Sequence, residues 1–112
     1  MPLLSIHTST TVSDRAALLR DASGRVAGLL GKPESYVMVE LHDGCALCFA
    51  GSDAPAAWLQ LKSLGLQESQ TAALSAALCD WAADALGVPA DRVYIEFAAP
   101  PRAFWGWNRS TF

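Results

Sequence analysis

The chain has 112 residues, 52% hydrophobic and only 17% charged, with a net charge of −3 at pH 7. That is the length of one ordinary domain. Its eight Lys and Arg are too scattered to make the concentrated basic face that nucleic acids require, and no apolar run reaches the ~18 residues of a membrane span.

The first predicted element is an apolar strand over Pro2–Thr8. It begins in MPLLSIHTST, which lacks the basic start and long apolar core of a signal peptide, so a cytoplasmic location is expected. Ser13 then stands in N-cap position for an amphipathic helix whose period is carried by Ala17, Leu18, Asp21, Ala22, Arg25, Val26 and Leu29. Gly31 is placed to cap its C-terminus, with Pro33 two residues on. A second strand follows over Tyr36–Leu41.

Next comes HDGCALCFAGS, read as a turn running into a strand. Cys45 and Cys48 spell C-x-x-C, a spacing shared by redox pairs and metal sites. Redox pairs of this type open a helix, where thiol pKa is lowered, whereas residues three apart on a strand point to opposite faces. No second Cys or His pair completes a tetrahedral zinc site. The two are therefore read as small apolar residues of a buried strand, without a metal. A third strand is predicted over Ala57–Ser63. A second helix is capped by Ser69, striped by Ala73, Leu74, Ala77, Leu78, Trp81 and Ala85, and ended by Gly87 and Pro89; Cys79 is assigned to its core side. The last strand is Val93–Phe97.

These elements repeat. Leu30–Leu41 lies over Leu86–Phe97 at an offset of 56 positions without a gap, matching Gly31 to Gly87, Pro33 to Pro89, Val37 to Val93 and Glu40 to Glu96. The chain is thus read as one α/β domain over residues 1–112, built from pseudo-repeats 2–56 and 57–112. Each is a β-α-β unit whose crossover makes its strands parallel. The two units join in a four-stranded sheet with both helices on one face. Sheets of this kind are normally covered on both faces. The bare face, with the high apolar content of so small a domain, predicts a symmetric oligomer with sheets facing inward.

Met1-Pro2, the two β-α-β units, Gly31-Lys32-Pro33, Ser63-Leu64-Gly65, Asp91-Arg92-Val93-Tyr94-Ile95 and the ending Gly106-Trp107-Asn108-Arg109-Ser110-Thr111-Phe112 together resemble the macrophage migration inhibitory factor family of the tautomerase superfamily. The resemblance spans essentially the whole chain. It implies a homotrimer whose three sheets form a central barrel, with an active site at each subunit junction and no cofactor. It implies Pro2 as catalytic base, Lys32 and the Leu64 N–H as holders of a substrate carboxylate, and Tyr94 as a contribution from the neighbouring subunit. The substrates implied are phenylpyruvate-like α-keto acids.

The chemistry has a physical basis. Tautomerising an α-keto acid needs a base that is neutral at working pH. Removal of Met1 would leave Pro2 a secondary amine, and burial beside Lys32 would lower its pKa into the useful range. A lysine at a helix end also suits the dipole, but the equivalent position of the second half is Val88, so the repeat does not require one. Leu3, Tyr36, Trp105, Trp107 and Phe112 suit an aryl-binding wall, although tryptophans equally pack subunit interfaces. The resemblance puts Glu96 where close relatives often carry Asn, on the strand face that Tyr94 shares; a carboxylate near the site would repel an acidic substrate, whereas the match to Glu40 reads it as a surface strand residue. The thiol-oxidoreductase proposal attached to the family falls on Ala56-Ala57-Trp58-Leu59, which has no cysteine. The alternative function is a receptor-binding signalling protein with vestigial tautomerase activity, for which the residues give no independent sign.

Overall fold

The computed structural model describes every residue from Met1 to Phe112. In chain order it forms β1 (Leu3–Thr8), α1 (Arg15–Leu30), β2 (Met38–His42), β3 (Ala57–Lys62), α2 (Thr71–Leu86), β4 (Val93–Ala98) and a terminal hairpin of β5 (Gly106–Trp107) and β6 (Ser110–Thr111). Single 3-10 turns lead into β2, α2, β4 and β5. The main sheet has the order β2-β1-β3-β4. β1 runs parallel to β2 and β3 parallel to β4, while β1 and β3 meet antiparallel at the centre. This is the expected pair of β-α-β units, joined into a mixed four-stranded sheet.

Strand alternation sorts the two faces. Leu4, Ile6, Leu59 and Leu61 are buried and meet Leu18, Ala22 and Val26 of α1 and Leu74, Leu78, Trp81, Ala82 and Leu86 of α2 in one core. The indole N–H of Trp81 donates to Asp21 at 2.8 Å, tying the helices together over the sheet. Asp21 and Arg25, counted above in the helical stripe, therefore lie on its solvent side, and the buried face of α2 extends to Ala82 and Leu86. The opposite sheet face carries no helix. Across it run Glu40, Ser5, Gln60 and Glu96 in one row and His42, His7, Trp58 and Tyr94 in the next.

Four local expectations are corrected. The N-cap of α1 is Asp14, not Ser13: Leu18 N–H bonds the Asp14 carbonyl at 3.1 Å, so the Asp14 carboxylate is the one within reach of Ala17 N–H, at 3.0 Å. Ser69 does not cap α2; it sits in a one-turn 3-10 segment whose start is closed by Gln67 and Gln70 as a reciprocal capping box. The Cys45–Cys48 stretch is not a buried strand. Asp43 accepts from Val12 N–H and Arg15 Nε, which turns the chain out of β2. Cys45 is half-buried, its thiol donating to the His42 carbonyl, and Cys48 is exposed. Cys79 is half-buried and packs against the core. The second strand also starts at Met38, two residues later than expected, because Glu34–Tyr36 winds into a 3-10 turn.

Candidate active site

Pro2 lies immediately ahead of β1 and is fully buried. Its carbonyl accepts from Met38 N–H at 3.0 Å, fastening the start of β2 beside the chain terminus. Lys32 reaches the same end of the sheet because of how α1 stops. Gly31 adopts φ +63°, a conformation that Cβ-bearing residues resist. Its N–H bonds back to Gly28 and that of Lys32 to Ala27, the paired bonds of a Schellman ending. The Lys32 ammonium then donates to Ser63 Oγ at 2.8 Å and to the Leu64 carbonyl at 2.5 Å. An ammonium has three donors, so one is left. Leu64 N–H has no acceptor within the chain.

A cavity of about 220 Å³ opens beside Pro2, walled by Leu3, Tyr36, Met38, Trp105 and Trp107. Its aromatic wall is held by the terminal hairpin. Trp107 stacks on Phe112 with centroids 5.7 Å apart, and Tyr36 meets both rings edge-on at 5.6 and 6.3 Å. The Phe112 N–H returns to the Trp105 carbonyl at 3.2 Å. Tyr36, Trp107 and Phe112 thus support each other, with Trp107 still about half exposed at 51%. Electrostatics at this mouth favour a neutral amine. Burial, then the neighbouring Lys32, then Arg102 hold the terminal amine of the Met1-bearing chain below its ordinary value.

Tyr94, expected from a neighbouring subunit, and Glu96 lie away from the Pro2 cavity of their own chain. Tyr94 is on edge strand β4, paired with Trp58, which pairs with the far end of β1 at His7. Its ring is 68% exposed. Glu96 shares the helix-free face with Tyr94 and is bound by Gln60 Nε2 at 2.5 Å. Neither lines the Pro2 cavity of its own chain. Ser63, fully buried, was missed as the seat for Lys32, and Met38 as a wall. In the sequence Ser63 stands out only as part of Ser63-Leu64-Gly65, at the end of a strand that alternates apolar residues with Gln60 and Lys62.

Residues 1–112 match the sequence profile of the family described as macrophage migration inhibitory factor (MIF). The chain belongs to the MIF family. Among its relatives, the MIF homologues of Trichuris trichiura and Brugia malayi are each 39% identical; the alignments cover all of this chain and 100% and 99% of theirs. The crystal structure of the MIF homologue from Prochlorococcus marinus superposes with a TM-score of 0.92 at 43% identity, covering 98% of both chains. The Trichinella spiralis MIF structure gives 0.92 at 35% identity, covering 98% of this chain and 99% of that one. MIF membership accounts for the mixed sheet and the two helices on one face. No helix of the chain is long and apolar enough to cross a bilayer.

Proposed function

We propose that this MIF-family chain is a cofactor-independent keto–enol tautomerase of phenylpyruvate-like α-keto acids, working as a homotrimer with Pro2 as its base. The observation that carries the reading is a buried Pro2 at an aromatic-walled cavity, with the Lys32 ammonium close enough to the chain terminus to act on its amine. With Met1 removed, Pro2 bears the terminal amine one residue deeper than Met1 does. The same burial and the same lysine lower its pKa, so a neutral secondary amine is available near neutral pH. The substrate carboxylate takes the remaining Lys32 donor and the free Leu64 N–H, a charge-assisted pair. The aryl group lies against Tyr36, Trp107 and Phe112, with Leu3 and Trp105 beneath.

The proton balance is simple. The Pro2 amine takes a proton from the carbon next to the keto group, the electron pair moves into the new C=C bond, water gives a proton to the carbonyl oxygen, and the prolinium returns its proton to that water, so the amine ends neutral. The reverse step returns the proton to carbon and leaves the amine neutral. Tyr94 and Glu96, exposed together on the edge strand, are contributed to the cavity of a neighbouring subunit. A Glu96 carboxylate at that cavity would disfavour substrates with a second negative charge.

The test starts with an intact mass, which is expected to show Met1 absent. Pro2→Gly is expected to slow phenylpyruvate tautomerisation by about 10²- to 10⁴-fold, the usual worth of a positioned base. An extra residue ahead of Pro2, which removes its basic nitrogen, should abolish the reaction. Unchanged rates in both variants would overturn the assignment.

A further inference from the structure

The link between the two halves, residues 43–56, is irregular, yet one part of it is tied down tightly. Phe49 and Ser52 exchange both backbone hydrogen bonds, at 2.9 and 3.0 Å. The two residues between them, Ala50 and Gly51, both have positive φ, at 53° and 72°, so the turn is a left-handed two-residue hairpin. Arg92 then reaches across from the turn ahead of β4. Its guanidinium donates to the carbonyls of Pro55 at 2.8 Å, Ala54 at 3.0 Å, and Phe49 and Ser52 at 3.2 Å each. The same guanidinium lies 5.2 Å over the Phe49 ring, within cation–π range. Phe49 in turn meets the Tyr94 ring edge-on, with centroids 4.9 Å apart and planes at 67°.

Tyr94 needs such support. It projects from an edge strand, is 68% exposed, and its hydroxyl makes no hydrogen bond within the chain. The Phe49 ring is what restricts how it turns. Arg92 and Tyr94 are two residues apart, so one short stretch of chain carries both the displayed ring and the cation that anchors its buttress.

We propose that Phe49, locked by Arg92, is a positioning residue that holds the Tyr94 ring in the orientation used by the neighbouring subunit's active site. This rests on the assignment of Tyr94 to that site made above. Phe49 touches no substrate; it acts through Tyr94 alone. A simple role in loop stability would leave Tyr94 indifferent to the nature of the side chain at 49, provided the loop stays folded.

The chain has only two tyrosines, Tyr36 and Tyr94, so fluorotyrosine labelling gives two fluorine NMR signals. Phe49→Leu is expected to shift the Tyr94 signal and leave that of Tyr36 in place. With phenylpyruvate it should raise KM about 2- to 10-fold, the factor an edge-on aromatic pair is worth, while kcat stays within about twofold. Phe49→Tyr should restore both readouts. In a Tyr94→Ala background, Phe49→Leu should add nothing. Arg92→Lys, which keeps the charge but cannot span four carbonyls, should move the Tyr94 signal the same way, and serves if Phe49→Leu does not fold. An unmoved Tyr94 signal, or an equal KM effect with Tyr94 absent, overturns the buttress. Tyr94→Ala with unchanged KM would overturn the use of Tyr94 itself and this inference with it. A normal Tyr94→Ala loss beside a silent Phe49→Leu would overturn the buttress alone.

Discussion

The two halves of the chain share a frame and differ at a few aligned positions, and the candidate site is made from those differences. Gly31 and Gly87 end their helices with the same left-handed cap, and each is followed by a proline and a 3-10 turn leading into a parallel strand. One residue past the cap, the first half has Lys32, whose ammonium crosses to Ser63 and Leu64. The second half has Val88, fully enclosed in the core. At the end of the 3-10 turn, Tyr36 walls the cavity, whereas Arg92 at the matching position ties down the Phe49 loop. The repeated glycines, prolines and Val37/Val93 shape the frame, and the unmatched positions supply Lys32, Tyr36 and Arg92.

Two exchanges between the halves probe this directly. Val88→Lys puts the first half's charge into the second half, where nothing pairs with it. An unpaired buried ammonium costs several kcal/mol, and a loss of about 4 kcal/mol consumes most of a small domain's stability. Thermal unfolding followed by circular dichroism should show a midpoint lower by about 15–30 °C, or no folded protein at all. A loss under about 1 kcal/mol would mean that the second half can also hold a charge, and the comparison would fail.

Lys32→Val makes the reverse exchange. The fold should survive, since only the donor to Ser63 and to the Leu64 carbonyl is removed, at about 1–3 kcal/mol. Loss of a charged donor to the substrate carboxylate should lower kcat/KM about 10- to 100-fold, mainly through KM. The pH profile gives a second readout. Lys32 depresses the pKa of the terminal amine, after burial, and the base works only when neutral. Its removal raises that pKa, so the acid limb of kcat/KM should move to higher pH. A limb that stays put would separate Lys32 from the base.

Much of this was legible in the sequence because the repeat states each rule twice. The cap glycines, both helices and the order of strands follow from it. The residues read as site candidates, Pro2, Leu3, Tyr36, Trp105, Trp107 and Phe112, lie together at one end of the sheet, with Lys32 beside the chain terminus. Failures came where neighbouring residues compete or where the partner is distant. Ser13 and Asp14 are both good caps, and a one-residue choice of helix start decides between them. The Cys45–Cys48 stretch looks apolar enough for a strand, yet Asp43 is captured by Val12 and Arg15 on another element. Ser63 has no local sign of its bond to a lysine 31 positions earlier.

The halves also end alike in a way no sequence offset reveals. Each closes with a two-residue left-handed turn, Ala50-Gly51 in the first and Asn108-Arg109 in the second. Such turns favour Asn or Gly at both positions, and each half breaks the rule once, at Ala50 and at Arg109. An L-residue there carries a strain of about 1–2 kcal/mol. Glycine removes it but loses about 0.5–1 kcal/mol of chain entropy. Ala50→Gly and Arg109→Gly should therefore each stabilise the protein by about 0.5–1 kcal/mol, raising the midpoint by about 2–8 °C. The gains differ in what accompanies them. Ala50 is bracketed by carbonyls that Arg92 already holds, so its exchange should leave Tyr94 and KM untouched. Arg109 sits in the hairpin that presents Trp107, and freeing that turn should loosen the aromatic wall enough to raise KM slightly. Equal kinetic effects from both would mean that the Arg92 anchor does not isolate its loop as the hydrogen bonds imply.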